Sequence, residues 1–132
     1  MASRKLSDLH PDVRERVDRF LDAAADEGIE VLVTCTWRSG QEQDILYAQG
    51  RTTKGRIVTN AKAGESLHNF ILNGQPGSRA VDVVAIVFGK PMWSADHPLW
   101  DRLGELGEAA GLQWGGRWRN PDKPHFELKE VT

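Results

Sequence analysis

Two histidines and one aspartate set the chemistry open to this chain. His68 lies in Glu65-Ser66-Leu67-His68-Asn69-Phe70, shortly before the most apolar run of the sequence, Ala80-Val81-Asp82-Val83-Val84-Ala85-Ile86-Val87-Phe88. Asp82 stands near the start of that run, among valines, where a carboxylate is costly unless its charge is compensated. His125 enters a short apolar stretch, His125-Phe126-Glu127-Leu128, behind the turn-rich Asn120-Pro121-Asp122-Lys123-Pro124. Two imidazoles and a carboxylate are what a catalytic zinc site requires, with the fourth position kept for water. The metal acidifies that water, but another group must accept its proton. Asp122, three residues before His125, is a candidate base that reaches the water without ligating the metal. Glu127 competes for the role. On a strand it shares the face of His125, which suits an outer partner of that histidine as well as a ligand. Spacing alone does not certify this set: His68 and Asp82 are 14 residues apart with a turn between them, and no His-Glu-x-x-His helix is present. His10 and His97 each precede a proline at a predicted helix start and read as capping or surface groups.

The elements that must position these residues mix helix and strand. Val13, Val17, Phe20, Leu21 and Ala24 recur at helical spacing and predict a helix from Pro11 to about Glu27, with Gly28 as its stop. Ile29 to Thr36 is short and β-branched and reads as a buried strand. A second helix is expected over Gln41–Gln49, closed by Gly50, and a third over His97–Ala110, with Leu99, Trp100, Leu103 and Leu106 inward. Ala80–Phe88 is the strongest strand; Leu112–Trp114 and His125–Leu128 are shorter ones. Arg51–Gly64 reads as a polar surface loop. The predicted class is α+β, with a small, mainly antiparallel sheet flanked by helices.

Composition narrows the function classes. A length of 132 residues bounds the chain to one domain, 1–132. The net charge of −2 leaves little basic surface for a nucleic-acid backbone. No apolar run approaches a membrane span, so no membrane insertion is expected, and the start MASRKLSDLH lacks the apolar core of a signal peptide. The single cysteine, Cys35, excludes an internal disulfide and a Cys-rich zinc site. Five tryptophans against one tyrosine is the compositional oddity.

Four segments, taken in order, are together familiar. Thr36-Trp37-Arg38-Ser39-Gly40-Gln41-Glu42-Gln43 with Leu46-Tyr47-Ala48-Gln49-Gly50-Arg51-Thr52 comes first. Ser66-Leu67-His68-Asn69 with Ser78-Arg79-Ala80-Val81-Asp82, then Trp114-Gly115-Gly116-Arg117-Trp118, then Asp122-Lys123-Pro124-His125 follow. This pattern resembles the VanY-type zinc peptidases of peptidoglycan, which include D-alanyl-D-alanine carboxypeptidases and phage L-alanyl-D-glutamate endopeptidases. The resemblance covers about Leu6 to Leu128 and implies the hedgehog/DD-peptidase fold. It implies one zinc ion held by His68, Asp82 and His125, with Asp122 as catalytic acid/base. It also implies that Arg38 faces the site, to bind a substrate carbonyl or carboxylate or to stabilise the oxyanion. Ser66 is then an outer partner or a substrate contact, Gln43 is structural, Trp118 and Trp37 wall the groove, and Trp100 packs inward. The stretch Ile71–Arg79 is longer than the family's usual gap and is expected as an inserted loop that bears on specificity.

The reaction so implied is amide hydrolysis in the peptidoglycan stem peptide. The favoured form is a phage endolysin cutting L-Ala–D-Glu, with removal of terminal D-Ala as the alternative. The endolysin is expected as a monomer without a separate wall-binding domain, held in the host cytoplasm until a holin releases it to the wall. A non-catalytic zinc module of the hedgehog type is the rival from another class, and the presence of both Asp122 and Arg38 speaks against it.

Overall fold

A computed structural model describes residues 2–132. Its elements, in chain order, are α1 (Pro11–Asp26), β1 (Glu30–Cys35), α2 (Gly40–Ala48), β2 (Ile71–Leu72), β3 (Gln75–Pro76), β4 (Ala80–Val87), β5 (Lys90–Pro91), α3 (Leu99–Ala109), β6 (Gln113–Trp114) and β7 (His125–Glu127). Single 3-10 turns at Leu6–Asp8, Leu67–Asn69 and Gly115–Arg117 complete it. The main sheet runs β1-β4-β7-β6, with β5 also paired to β4, and every pairing is antiparallel. The α+β class read from the sequence is therefore the observed one.

Local signals explain the helices. His10 caps α1, its Nδ1 accepting from the Asp12 amide, with Pro11 in the first turn. Ser39 and Glu42 form a capping box at the start of α2. His97 Nδ1 accepts from the Leu99 amide at the start of α3. Both proline-preceding histidines are thus spent on helix starts.

The stripe Val13, Val17, Phe20 and Ala24 of α1 is fully buried, and Trp100, Leu103 and Leu106 of α3 join it. Together they cover one face of the sheet, where Phe20 and Phe126 meet with ring centroids 4.7 Å apart. Close helix–sheet approach requires glycine on α3: a Cβ on Gly107 would fall 2.3 Å from the Phe126 ring.

Three details depart from the expectation. The strong strand, expected over Ala80–Phe88, does not stop there but turns back as β5. Ile71–Arg79 is not an open loop: β2 and β3 pair as a hairpin, and its base is pinned by Gly77 N–H to the Phe70 carbonyl (3.0 Å) and Arg79 N–H to the Leu67 carbonyl (2.9 Å). The 51–64 segment, which has no helix or strand, is gripped by α2. Gln43 Nε2 donates to the Ala61 carbonyl and the Ala63 N–H donates to Asp44, while within the segment Arg51 donates to Thr59 and Asn60. Among the described residues no helix is long and apolar enough to cross a membrane.

Candidate metal centre and cleft

The strand register assembles the site. Asp82 on central β4 is paired with Cys35 of β1 on one side and His125 of β7 on the other. A bulge between Val33 and Cys35 brings Cys35 into this row, because the extra residue shifts the alternation by one. On β7 the alternation sends Phe126 to the helices, so His125 and Glu127 share the opposite face. His68 arrives from the 3-10 turn after Ser66, whose hydroxyl accepts from the His68 amide at 3.2 Å. The turn is clasped to the Arg38 segment by Arg38 N–H to the His68 carbonyl (3.0 Å) and Asn69 Nδ2 to the Arg38 carbonyl (2.9 Å).

Asp82 Oδ1 is the point of convergence. His68 Nε2 lies 3.3 Å from it and His125 Nδ1 lies 3.1 Å from it. Each ring's far nitrogen meets an acceptor: His68 Nδ1 is 2.8 Å from the Thr36 carbonyl, and His125 Nε2 is 2.8 Å from Glu127 Oε1. A carbonyl or a carboxylate only accepts, so those far nitrogens carry the hydrogens. In rings that give up their second proton to a cation, the near nitrogens are the free donors, and both lie beside Asp82 Oδ1. That is the arrangement of metal-ligating histidines, whose other N–H is tied to a carbonyl or carboxylate. The donor set therefore fits a divalent cation of the zinc type.

The electrostatics of the cluster favour positive charge. Burial opposes charge on His68, but the Asp82 carboxylate and Cys35 outweigh it and raise the ring to about 10. Burial opposes charge on His125 as well, and its bonds to Asp82 and Glu127 raise it to about 9. Burial pushes the Asp82 carboxyl up, yet the two rings hold it well below the usual carboxylate range. The site draws positive charge.

Cys35 was not singled out for chemistry by the sequence, yet its sulfur is part of the cluster. Cys35, His68 and Asp82 each bring one potential ligand atom within 4.8 Å of the others. The sulfur lies 3.5 Å from His68 Nδ1, the nitrogen already engaged by Thr36, and accepts from Arg38 Nη2 at 3.5 Å. Arg38 Nη1 donates to Gln43 Oε1 at 2.9 Å. Gln43, fully buried, thus ties Arg38 to the 59–61 segment, which explains a polar residue at an interior helical position.

A cleft of about 670 Å³ opens over this cluster, lined by Arg38, Ser66, His68, Asp82, Trp118, Asp122, His125 and Glu127 among others. Asp122 is held by its turn: its N–H donates to the Gly115 carbonyl at 2.9 Å, and the His125 N–H donates to the Asp122 carbonyl at 3.2 Å. A Cβ on Gly115 would lie 2.5 Å from the Asp122 carbonyl oxygen, so the Trp-Gly-Gly stretch is a packing requirement of this turn. Burial, and then the Asp82 charge, raise the Asp122 carboxyl above its ordinary range, against the pull of the two rings and Arg38. Trp118, 40% exposed, lies 5.1 Å ring to ring from His125. Trp37 is not among the cleft-lining residues; its indole N–H donates to the Phe70 carbonyl at 3.1 Å. Nor does the 71–79 hairpin line the cleft. Trp100 is buried, as expected, and Trp93 packs beside it at the surface.

Comparison with known proteins bears on the family. A VanY model, described as D-alanyl-D-alanine carboxypeptidase, matches residues 6–84, more than half of the chain. A second model of the same description, from the M15 peptidases, matches residues 59–128. The chain belongs to the VanY D-alanyl-D-alanine carboxypeptidase family. The chain is 42% identical over 129 residues to the peptidoglycan L-alanyl-D-glutamate endopeptidase CwlK of Bacillus subtilis (strain 168), covering 92% of this chain and 74% of CwlK. Two solved structures share the fold. The Serratia marcescens L-Ala D-Glu endopeptidase ChiX superposes with a TM-score of 0.64 at 24% identity, covering 97% of this chain and 88% of ChiX. The LdcB LD-carboxypeptidase does so at 0.69 and 17% identity, covering 91% of this chain and 58% of LdcB. The VanY motifs quoted from the sequence are the segments that surround the cluster at Asp82.

Proposed function

We propose that this protein is a zinc-dependent peptidoglycan peptidase that hydrolyses the L-Ala–D-Glu bond of the stem peptide. The observation that carries the reading is the meeting of His68 Nε2 and His125 Nδ1 on Asp82 Oδ1, beneath a cleft that also contains Asp122 and Arg38. His68, Asp82 and His125 hold the ion. Cys35 stands beside this set, because its sulfur meets the outer nitrogen of His68 whereas His125 meets the same oxygen as His68 Nε2. Zinc, when bound, supplies Lewis acidity and local positive charge. Asp122 takes the proton of the attacking water and returns it to the leaving amine; its raised pKa suits a group that must do both. Arg38, held from behind by Gln43 and Cys35, keeps donors for the developing oxyanion.

Endopeptidase action is favoured by the likeness to CwlK and by the shape of the cleft. A second cavity of about 470 Å³, lined by Thr34, Glu42 and Ile45, shares Arg38, Leu46 and Asp82 with the first. The groove therefore continues beyond Asp82, as a bond inside a chain demands. Terminal D-Ala removal is the second reading, favoured by the description of the family models. Digestion of purified sacculi, with mass spectrometry of the new ends, separates them: new D-Glu amino termini support the proposal, free D-Ala supports carboxypeptidase action, and an undigested wall refutes both. A phage-type lytic role is part of the same proposal. Co-expression with a holin is expected to lyse a host with a thin wall, and expression alone is expected not to.

A further inference from the structure

The cleft has an extension that the catalytic cluster does not use. A cavity of about 910 Å³ lies between the 57–61 segment and the 118–122 turn. It shares Thr59, Glu65, Trp118 and Asp122 with the cleft, so Trp118 stands at the junction. Beyond it the walls carry Asn60, Arg119 and Asn120. Among the described residues the Arg119 and Asn120 side chains make no hydrogen bond or ion pair, and Arg51, donating to the Asn60 side-chain oxygen at 2.9 Å, holds the opposite wall. An exposed indole face followed by an unpartnered amide and guanidinium suits a ligand with C–H faces, hydroxyls and an acetamide. Among the described residues, the continuation on the other side of Asp82 has Thr34, Ile45, Leu46 and Glu42, and no aromatic ring.

The proposed substrate contains such a ligand at a defined distance. In the stem peptide the L-Ala that donates the scissile carbonyl is joined through its nitrogen to the lactyl group of an N-acetylated amino sugar. Alanine and lactyl together span about two residue lengths, roughly 7 Å. Trp118 lies within that reach of the cluster, its ring 5.1 Å from that of His125. We infer that the pocket past Trp118 is a subsite for this lactyl-bearing amino sugar, and that the enzyme selects its bond by the sugar one residue away. The sugar binds on the Trp118 side and the D-Glu side of the peptide runs toward Ile45 and Leu46. This rests on the endopeptidase reading above.

The test uses the zinc-loaded enzyme and two soluble substrates: a disaccharide-linked stem peptide, and the same peptide with an acetyl group in place of the sugar. One ring contact and one hydrogen bond predict a kcat/KM preference of about tenfold for the sugar-bearing form. In Arg119→Ala and Asn120→Ala the preference is expected to fall toward one, and a general loss of turnover cancels in that ratio. Equal rates on both substrates in the unaltered enzyme overturn the subsite. A preference that both variants keep in full overturns its location. Cleavage of neither substrate at L-Ala–D-Glu overturns the endopeptidase reading instead.

Discussion

The two faces of the β4–β7 pair are built from alternating residues of the same strands, yet they obey different rules. On one face Val81, Val83 and Phe126 are fully buried under α1 and α3. On the other, Asp82, His125 and Glu127 are joined by short polar contacts. The first face stabilises by area and fit, and tolerates apolar exchange of equal volume. The second holds charged and polar groups out of water, at a cost that only complete pairing, or a bound cation, offsets. Stability therefore resides in the first face and chemistry in the second, one residue apart.

The largest effect expected is on the polar face. Asp122→Asn is expected to lower turnover on sacculi by about 10²–10⁴-fold while metal content and thermal midpoint stay near those of the parent. Metal analysis beside the rate assay checks this; full turnover would show that Asp122 is not the base. Chelation is expected to abolish turnover with little change in far-UV circular dichroism, since the apolar face makes the fold, and added zinc restores the rate. On the other face, Phe126→Ala empties the contact with Phe20 and Trp114. It should destabilise by about 3–5 kcal/mol in urea titration, with the folded fraction still active. Glu127→Gln weakens the anchor of the His125 ring and should cost about 10–100-fold in zinc affinity, read by competition with a chelating dye.

The acid limb of the rate profile sharpens the same contrast. Asp122 must be ionised to accept a proton, and burial together with Asp82 raises its pKa. Activity is therefore expected to fall as the pH drops through the Asp122 pKa, and Asp122→Glu should move that point. The smallest effect belongs to a tryptophan outside the cleft. Trp37→Phe removes the bond to the Phe70 carbonyl and should cost about 1 kcal/mol of stability with KM unchanged.

The helices and strands were legible because their signals are local. The α1 stripe, the Ser39–Glu42 cap and the β-branched run of β4 all lie within a few residues. His68, Asp82, Asp122 and His125 were legible through residue type and motif, and the structure gathers them in one cleft. The role of Gln43 was less so. Its partners Thr59 and Ala61 lie 16 and 18 residues away, on a segment that reads only as a polar loop. Trp37 misled because proximity to Arg38 in sequence does not say which way a side chain turns.

By itself the sequence determined which residues form helix and strand, and which side chains are able to ligate or move protons, because periodicity and functional groups are written residue by residue. Tertiary structure decided the rest. A bulge in β1 placed Cys35 beside Asp82, and antiparallel pairing placed His125 across from it. The distant acceptors Thr36 and Glu127 chose which nitrogen of each imidazole turns toward Asp82. Convergence on one oxygen requires three segments to meet, and that meeting is a property of packing, which no local pattern encodes.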